Sequence, residues 1–289
     1  MADILDLGDF DEPILVFGGP YSNLQATRAL LAEAERRGIP PSRRLCTGDV
    51  VAYCADPQAT VDLIRGAGIA VVMGNCEESL GGGTDDCGCG FVAGSSCDLM
   101  SAQWFAYAGR ALDDDAKAWM RGLPRRIALT LAGRRLAAVH GGVDRINRYV
   151  FPSTPAADKA DEIARAGAEG VIGGHSGLPF TEIVDGRLWH NAGAIGLPAN
   201  DGTPRAWYST LSPGPDGLLI EHHALAYDHE AAAAAMRARG LPAAYAKSLE
   251  TGLWPADDVM PAADRRRRGR ALAPAPLLWG REAAARRRA

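Results

Sequence analysis

Residues 14–31 read ILVFGGPYSNLQATRALL. The first four residues, Ile14 to Phe17, form an unbroken apolar run of the length of a buried strand. Ser22 or Asn23 then offers an N-cap oxygen, and an amphipathic helical pattern follows. A strand, a tight turn and a helix are the repeating unit of α/β proteins, which carry functional groups at the carboxyl ends of their strands. Yet the turn, Gly18-Gly19-Pro20-Tyr21, contains no carboxylate, histidine, cysteine or lysine.

Four further segments repeat the form of an apolar run ending at glycine. They are LCTGD (45–49), IAVVMGN (69–75), LAAVHGG (136–142) and GVIGGH (170–175). Helical patterns over 24–37, 57–67 and 156–166 fall between several of them. The alternation predicts an α/β layered fold. Three later stretches read as hairpins: 126–140 around Gly133, 181–193 around Asp185-Gly186, and 205–228. The second half is therefore more antiparallel, and two sheets packed face to face with helices outside would accommodate the whole pattern. Residues 77–101 have little periodicity and contain GGG, DDCGCG and GSSC, so they read as a long loop. From Asp228 an Ala-rich helical hairpin leads into a Pro- and Arg-rich tail over 251–289, leaving 1–250 as the main domain.

The chain has 289 residues, 47% hydrophobic and 23% charged, which is an ordinary globular composition with ample core. No apolar stretch reaches the roughly 18 residues of a membrane span. The N-terminus, MADILDLGDFDEP, is acidic and lacks a signal-peptide pattern, so the sequence reads as cytoplasmic. Of 31 basic residues, nine are arginines in 264–289, set against Asp264 and Glu282; the tail is +7 and the remainder −11, for a total of −4. That tail can touch nucleic acid or another polyanion, but no base-stacking aromatics accompany it, and a solvated, partly disordered tail is the simpler expectation. Five of the six cysteines fall between 54 and 97. A disulfide framework is not expected in such a chain, which leaves buried thiols, metal binding or redox chemistry open.

The strand ends carry the chemistry. Asp49 follows Gly48, Asn75 follows Gly74, His140 precedes Gly141-Gly142, and His175 follows Gly173-Gly174. A carboxylate, an amide oxygen and two imidazoles suit Zn, Mn or Fe. Singly each residue reads as a turn or core position; the ordered set is the signal.

In that order GDVV (48–51), GNCE (74–77), VHGG (139–142) and GGHSG (173–177) resemble the calcineurin-like metallophosphoesterases, and most of all their compact bacterial branch. NAGAIGLPANDGTPRAWYSTL (191–211) resembles the strand-loop-strand that follows the last histidine there. The likeness spans about residues 13–250 and implies a four-layered α/β/β/α sandwich of two mixed sheets. It also implies a site for two metals. Carried over by position, Asp49 is the bridging carboxylate, and Asn75, His140 and His175 complete one ion's set. The other set is missing: Gly19, Tyr21 and Gly177 stand where that family has Asp, His and His. The resemblance therefore implies a divergent member with one divalent ion per chain. Cys76 and Glu77 replace the family's His-Asp after GN, so Cys76 joins Asp49 and His140 as a candidate catalytic residue, as ligand, acid or redox group. Cys54, Cys87 and Cys89 are candidates to replace lost ligands. Tyr21 and Arg205 are candidates to contact the ion or the substrate. The implied activity is hydrolysis of a phosphomonoester or phosphodiester by metal-bound hydroxide, on a small phosphorylated substrate. The alternative is a non-hydrolytic metal- or redox-binding protein on the same fold.

Overall fold

The computed structural model describes residues 4–280. The chain runs β1 (Ile4–Phe10), β2 (Ile14–Phe17), α1 (Leu24–Arg36), β3 (Arg44–Cys46), α2 (Pro57–Gly66) and β4 (Ala70–Val71). Three helices follow, α3 (Asn75–Gly82), α4 (Ser96–Ala111) and α5 (Asp114–Arg121). Next come the hairpin β5 (Arg126–Leu131) and β6 (Arg134–Val139), then α6 (Ala156–Ala166) and β7 (Gly170–Gly173). Two more hairpins pair β8 (Pro179–Val184) with β9 (Arg187–Ala192) and β10 (Ala206–Gly214) with β11 (Gly217–Leu225). The helices α7 (His229–Ala238), α8 (Ala243–Thr251) and α9 (Ala262–Arg265) and the strand β12 (Leu277–Gly280) complete the described chain.

The strands form two six-stranded sheets, ordered β1-β5-β6-β7-β9-β8 and β12-β11-β10-β2-β3-β4. Both are mixed. β2, β3 and β4 run parallel, as do β6, β7 and β9, while the hairpin partners run antiparallel. The two-residue period of β2 displays the layering. Ile14 and Val16 pack with Ile127, Leu129, Ile172 and Leu188 of the facing sheet. Leu15 and Phe17 point the other way, into a core with Leu30 and Ala34 of α1 and Val61 and Ile64 of α2. On the outer face of the other sheet, Val139, Val171 and Trp189 pack with Ile163 of α6. The order of layers is α/β/β/α, as expected. Each of these large side chains stabilises the stack by about 1.5–3 kcal/mol on burial.

Three segments differ from the sequence reading. β1 was not foreseen: it is an edge strand parallel to β5, and it is exposed on much of both faces, so it has no apolar stripe. The loop expected over 77–101 shrinks to 83–95. Glycines at 81 and 82 mask the end of α3, and the Ser95 side chain caps α4 by accepting the Asp98 N–H. The tail is not merely solvated, because residues 251–280 pack back on the domain. The carboxylate of buried Asp264 accepts from the Ser153 hydroxyl, and β12 extends one sheet beside β11 with Trp279 buried. The final arginines, at 286–288, lie outside the described residues. Among those described, no helix is long and apolar enough to cross a membrane.

Candidate metal centre

Parallel strands end on one edge of each sheet, and the four ligand-type residues follow those ends. Asp49 lies three residues past β3, Asn75 opens α3 after β4, His140 follows β6 directly, and His175 lies two residues past β7. Their polar atoms converge. His140 Nε2 lies 3.0 Å from Asn75 Oδ1, 3.1 Å from His175 Nδ1 and 3.3 Å from Asp49 Oδ2. The donor atoms of Asp49, His140 and His175 all fall within 4.8 Å of one another.

Surrounding contacts fix which atom faces the cluster. The other nitrogen of His140, Nδ1, is 2.7 Å from the Thr47 carbonyl, which can only accept. In the neutral ring Nδ1 therefore carries the proton and Nε2 presents its lone pair, a common arrangement of a metal-binding histidine. Asn75 Nδ2 donates to the Cys87 carbonyl at 2.8 Å, which turns Oδ1 toward His140. Burial opposes a charge on His140 and Asp49 favours it, with a net rise in its pKa, so a proton or a cation on Nε2 bridges the Asn75 and Asp49 oxygens. A shared metal cation satisfies both oxygens, and one carboxylate, one amide oxygen and two imidazoles fit a divalent transition metal.

Glu77 is the residue that the sequence reading left without a role. Its fully buried carboxylate accepts the N–H groups of Asp49 at 2.7 Å, Val50 at 2.8 Å and Gly74 at 2.9 Å. It therefore ties the Asp49 turn to the turn that presents Asn75. Its place three residues after Gly74, in the first turn of a helix, is the one sequence signal for such a role. Gly74 is required by contact: a Cβ there would lie 2.3 Å from Asp49 Oδ1. Cys76 donates its backbone N–H to that same oxygen at 3.1 Å. Asn191 Nδ2 bonds the Gly174 carbonyl at 2.8 Å and so steadies the turn before His175. Positive φ angles outside glycine gather here, at Tyr21, Ser22, Asp49, Tyr53 and His175, where packing holds backbone that L-residues rarely adopt.

The electrostatics favour a cation. Burial opposes the charge of Asp49, but His140, His175 and the Cys76 N–H together outweigh it and leave the carboxyl below its ordinary range. Burial and the adjacent His140 push His175 down to about 3, so it is neutral and free to ligate. Burial and the Asp49 charge raise Glu77 to about 7. Burial, Asp49 and Glu77 together push the Cys76 thiol well up.

The other candidates lie as follows. The ring of Tyr21 fills the space of a side chain at position 19: a Cβ on Gly19 would lie 2.3 Å from Tyr21 Cζ. The Tyr21 hydroxyl lies 3.6 Å from where a Cβ on Gly177 would sit. The three positions at which the resemblance implies missing ligands are thus neighbours around the Tyr21 ring. Cys54 is buried behind Tyr21, with Sγ 3.7 Å from the Gly196 carbonyl, outside the cluster. Cys87 and Cys89 are joined by a disulfide, which the sequence reading did not expect; Gly88, at φ +64, lets the chain turn between them. They approach Asn75 through the Cys87 carbonyl and Cys89 Sγ rather than as free thiolates. Arg205 is committed elsewhere, to Asp201, Thr203 and the Leu272 carbonyl, and stacks over Trp207.

Comparison with known proteins agrees with this geometry. Residues 21–212 match the calcineurin-like phosphoesterase superfamily domain. An uncharacterised protein of Methanocaldococcus jannaschii, MJ0912, is 27% identical over 206 residues, which are 66% of this chain and 77% of that one. The fold is similar to two crystal structures. One is a metallophosphoesterase from Sphaerobacter thermophilus (TM-score 0.66, 22% identity, 84% of this chain and 100% of that one). The other is the hypothetical protein PH1004 from Pyrococcus horikoshii OT3 (TM-score 0.71, 15% identity, 84% and 99%). A domain match over most of its length, on a two-sheet sandwich that gathers its polar residues at the strand ends, makes this chain a member of the calcineurin-like phosphoesterase superfamily.

Proposed function

We propose that the protein hydrolyses a phosphoric ester with the help of one divalent transition metal, held by Asp49, Asn75, His140 and His175. The observation that carries this is the convergence on His140 Nε2 of Asn75 Oδ1 at 3.0 Å, His175 Nδ1 at 3.1 Å and Asp49 Oδ2 at 3.3 Å, with Nδ1 of the same ring engaged by the Thr47 carbonyl so that Nε2 faces the cluster. When bound, such a cation polarises a phosphoryl oxygen and lowers the pKa of water.

The chain's own residues account for the rest. Asp49 supplies the negative charge that retains a cation. Thr47 holds His140 in the tautomer that ligates, and Glu77 keeps the Asp49 and Asn75 turns in register. The Tyr149 ring lies against His175, centroids 4.1 Å apart, and restricts its rotation. Cys76 contributes its backbone N–H to Asp49. Tyr21 fills the neighbouring volume, which favours one ion over two.

The test is elemental analysis of protein purified without added metal, beside an Asp49→Ala control, followed by assays on a phosphomonoester and phosphodiester panel. Bound metal that is lost in the control, together with hydrolysis that depends on it, is expected. Protein that stays metal-free after reconstitution, or loaded protein inert across the panel, would sink the proposal.

A further inference from the structure

Two cysteines meet the candidate centre in a form that none of the site's roles uses. Cys87 and Cys89 are joined by a disulfide across Gly88, and both are buried, although Gly90 and residues 82–86 beside them are exposed. Their turn is built against a candidate ligand. Asn75 Nδ2 donates to the Cys87 carbonyl at 2.8 Å and lies 3.5 Å from Cys89 Sγ. A Cβ on Gly88 would lie 3.6 Å from Asn75 Cβ and 2.9 Å from Ser79 Oγ, so the turn packs on α3. On its other side the Gly88 carbonyl accepts from Asn147 Nδ2 at 2.9 Å, in the loop that follows His140. As a staple of the fold the bond does little. A cross-link constrains the unfolded chain less the shorter the loop it closes, and this one joins residues two apart. What it does hold is the direction of the Cys87 carbonyl, and through it the Asn75 amide.

We infer that Cys87–Cys89 is a reversible thiol–disulfide exchange site, opened by a small dithiol and closed again by a small disulfide, and that its oxidised form holds Asn75 in the pose that ligates. The inference rests on the reading of Asn75 as a metal ligand and adds a redox partner to that site. One thiolate of the dithiol attacks a sulfur of the pair. The Sγ–Sγ bond breaks, and the other cysteine leaves as a thiolate and takes a proton. The second thiol of the dithiol then closes that molecule's own disulfide, and the remaining cysteine leaves with its proton. Two electrons and two protons pass from the dithiol to the pair. With the ring open, the Cys87 carbonyl is no longer fixed, and Asn75 Nδ2 loses its held acceptor. An amide free to turn presents its N–H groups to the cluster as readily as its oxygen, and only the oxygen can ligate a cation. Cys87 and Cys89 are thus positioning residues that act on the centre through Asn75. Because the bond spans so short a loop, it can open by local movement of residues 83–95 while the sheets stay folded.

Thiol counting tests the exchange, and zinc affinity tests its consequence. Folded, metal-free protein is treated with dithiothreitol, freed of it under nitrogen, and reoxidised with oxidised glutathione. Thiols counted after denaturing each sample should number four before reduction, six after it and four again after reoxidation. Competition with a chromogenic chelator should show zinc held about 10–100-fold more weakly by the reduced protein, as when a partner behind a ligand is lost. The double variant Cys87→Ser, Cys89→Ser keeps nearly the same volume without sulfur, and should bind zinc as weakly whether or not it has met the dithiol. Asn75→Ala should bind weakly in both states, since the pair acts through that side chain. A bond that the dithiol leaves closed in the folded protein, equal zinc affinity in the two states, or a redox dependence that survives in Asn75→Ala would overturn the inference. Tighter zinc binding after reduction would overturn it too, by making the thiolates ligands. If no form binds zinc, the metal reading fails, and the thiol count alone decides the exchange site.

Discussion

Glu77 acts on the candidate metal centre through the backbone that holds its ligands. Its two oxygens gather N–H groups from residues 49, 50 and 74, so both ligand turns depend on one carboxylate. Glutamine there replaces one acceptor oxygen with a donor that faces N–H groups. Glu77→Gln should therefore weaken zinc affinity by about 10–100-fold, the usual cost of losing an outer-shell partner. Competition with a chromogenic chelator measures this, and unchanged affinity would show that the turns hold without it. Tyr21 sets a second prediction. Its ring occupies the volume of side chains at position 19 and approaches that of 177, so all three positions must change together to open the space. The combined variant Gly19→Asp, Tyr21→His, Gly177→His should bind about two zinc ions per chain, where the parent binds about one. Elemental analysis of both proteins decides it; one ion in each would mean that more than these side chains keeps the second away.

At the scale of elements, α1 is fastened to the sheet through Glu33. The Tyr208 hydroxyl of β10 donates to its carboxylate at 2.8 Å, and Arg36 and Arg37 bond it from within the helix end. The Arg36 bonds, opposed by some burial and joined by Arg37 and Tyr208, bring its pKa down to about 2 from an ordinary 4.5. A lowered folded value means that the ionised form is favoured by folding. The contribution is therefore complete above pH 4.5 and fades as pH falls toward 2. Glu33→Gln should cost about 1 kcal/mol at pH 7, the scale of a partly exposed pair, and the gap should narrow by pH 3. Urea unfolding at the two pH values measures it, and a gap independent of pH would refute the role. The elements that were legible in the sequence are those whose pattern is local. β3, β4, β6 and β7 each announce themselves as an apolar run ended by glycine, and the candidate ligands sit at those ends. What was hidden depends on partners far along the chain. β1 is an edge strand without a buried stripe, α3 carries glycines that disguise a helix, and Glu77 looks like any surface acid until the Asp49 turn closes over it.

Taken as a whole, the molecule closes with a segment that its composition disguises. LLW within the Pro- and Arg-rich tail supplies β12, and the indole of Trp279 enters the core between the two sheets beside Leu218 and Ile220. Its N–H donates to the Gly186 carbonyl of the facing sheet's hairpin at 3.0 Å, and the Arg134 guanidinium lies 4.0 Å over its ring. One side chain thus links β12 to both sheets. Trp279→Ala removes that burial, the ring contact and a donor together, and should destabilise the protein by about 3–5 kcal/mol, as large aromatic truncations in cores do. An exposed arginine of the same tail, Arg266, makes none of these contacts, so Arg266→Ala should change stability by less than about 0.5 kcal/mol. Thermal unfolding of the two variants beside the parent separates the possibilities. A large loss for Trp279→Ala with none for Arg266→Ala makes the tail's aromatic strand, not its charge, part of the domain. Equal and small effects would mean that β12 lies on the sheet without supporting it, and that the tail's role is to be sought in its arginines.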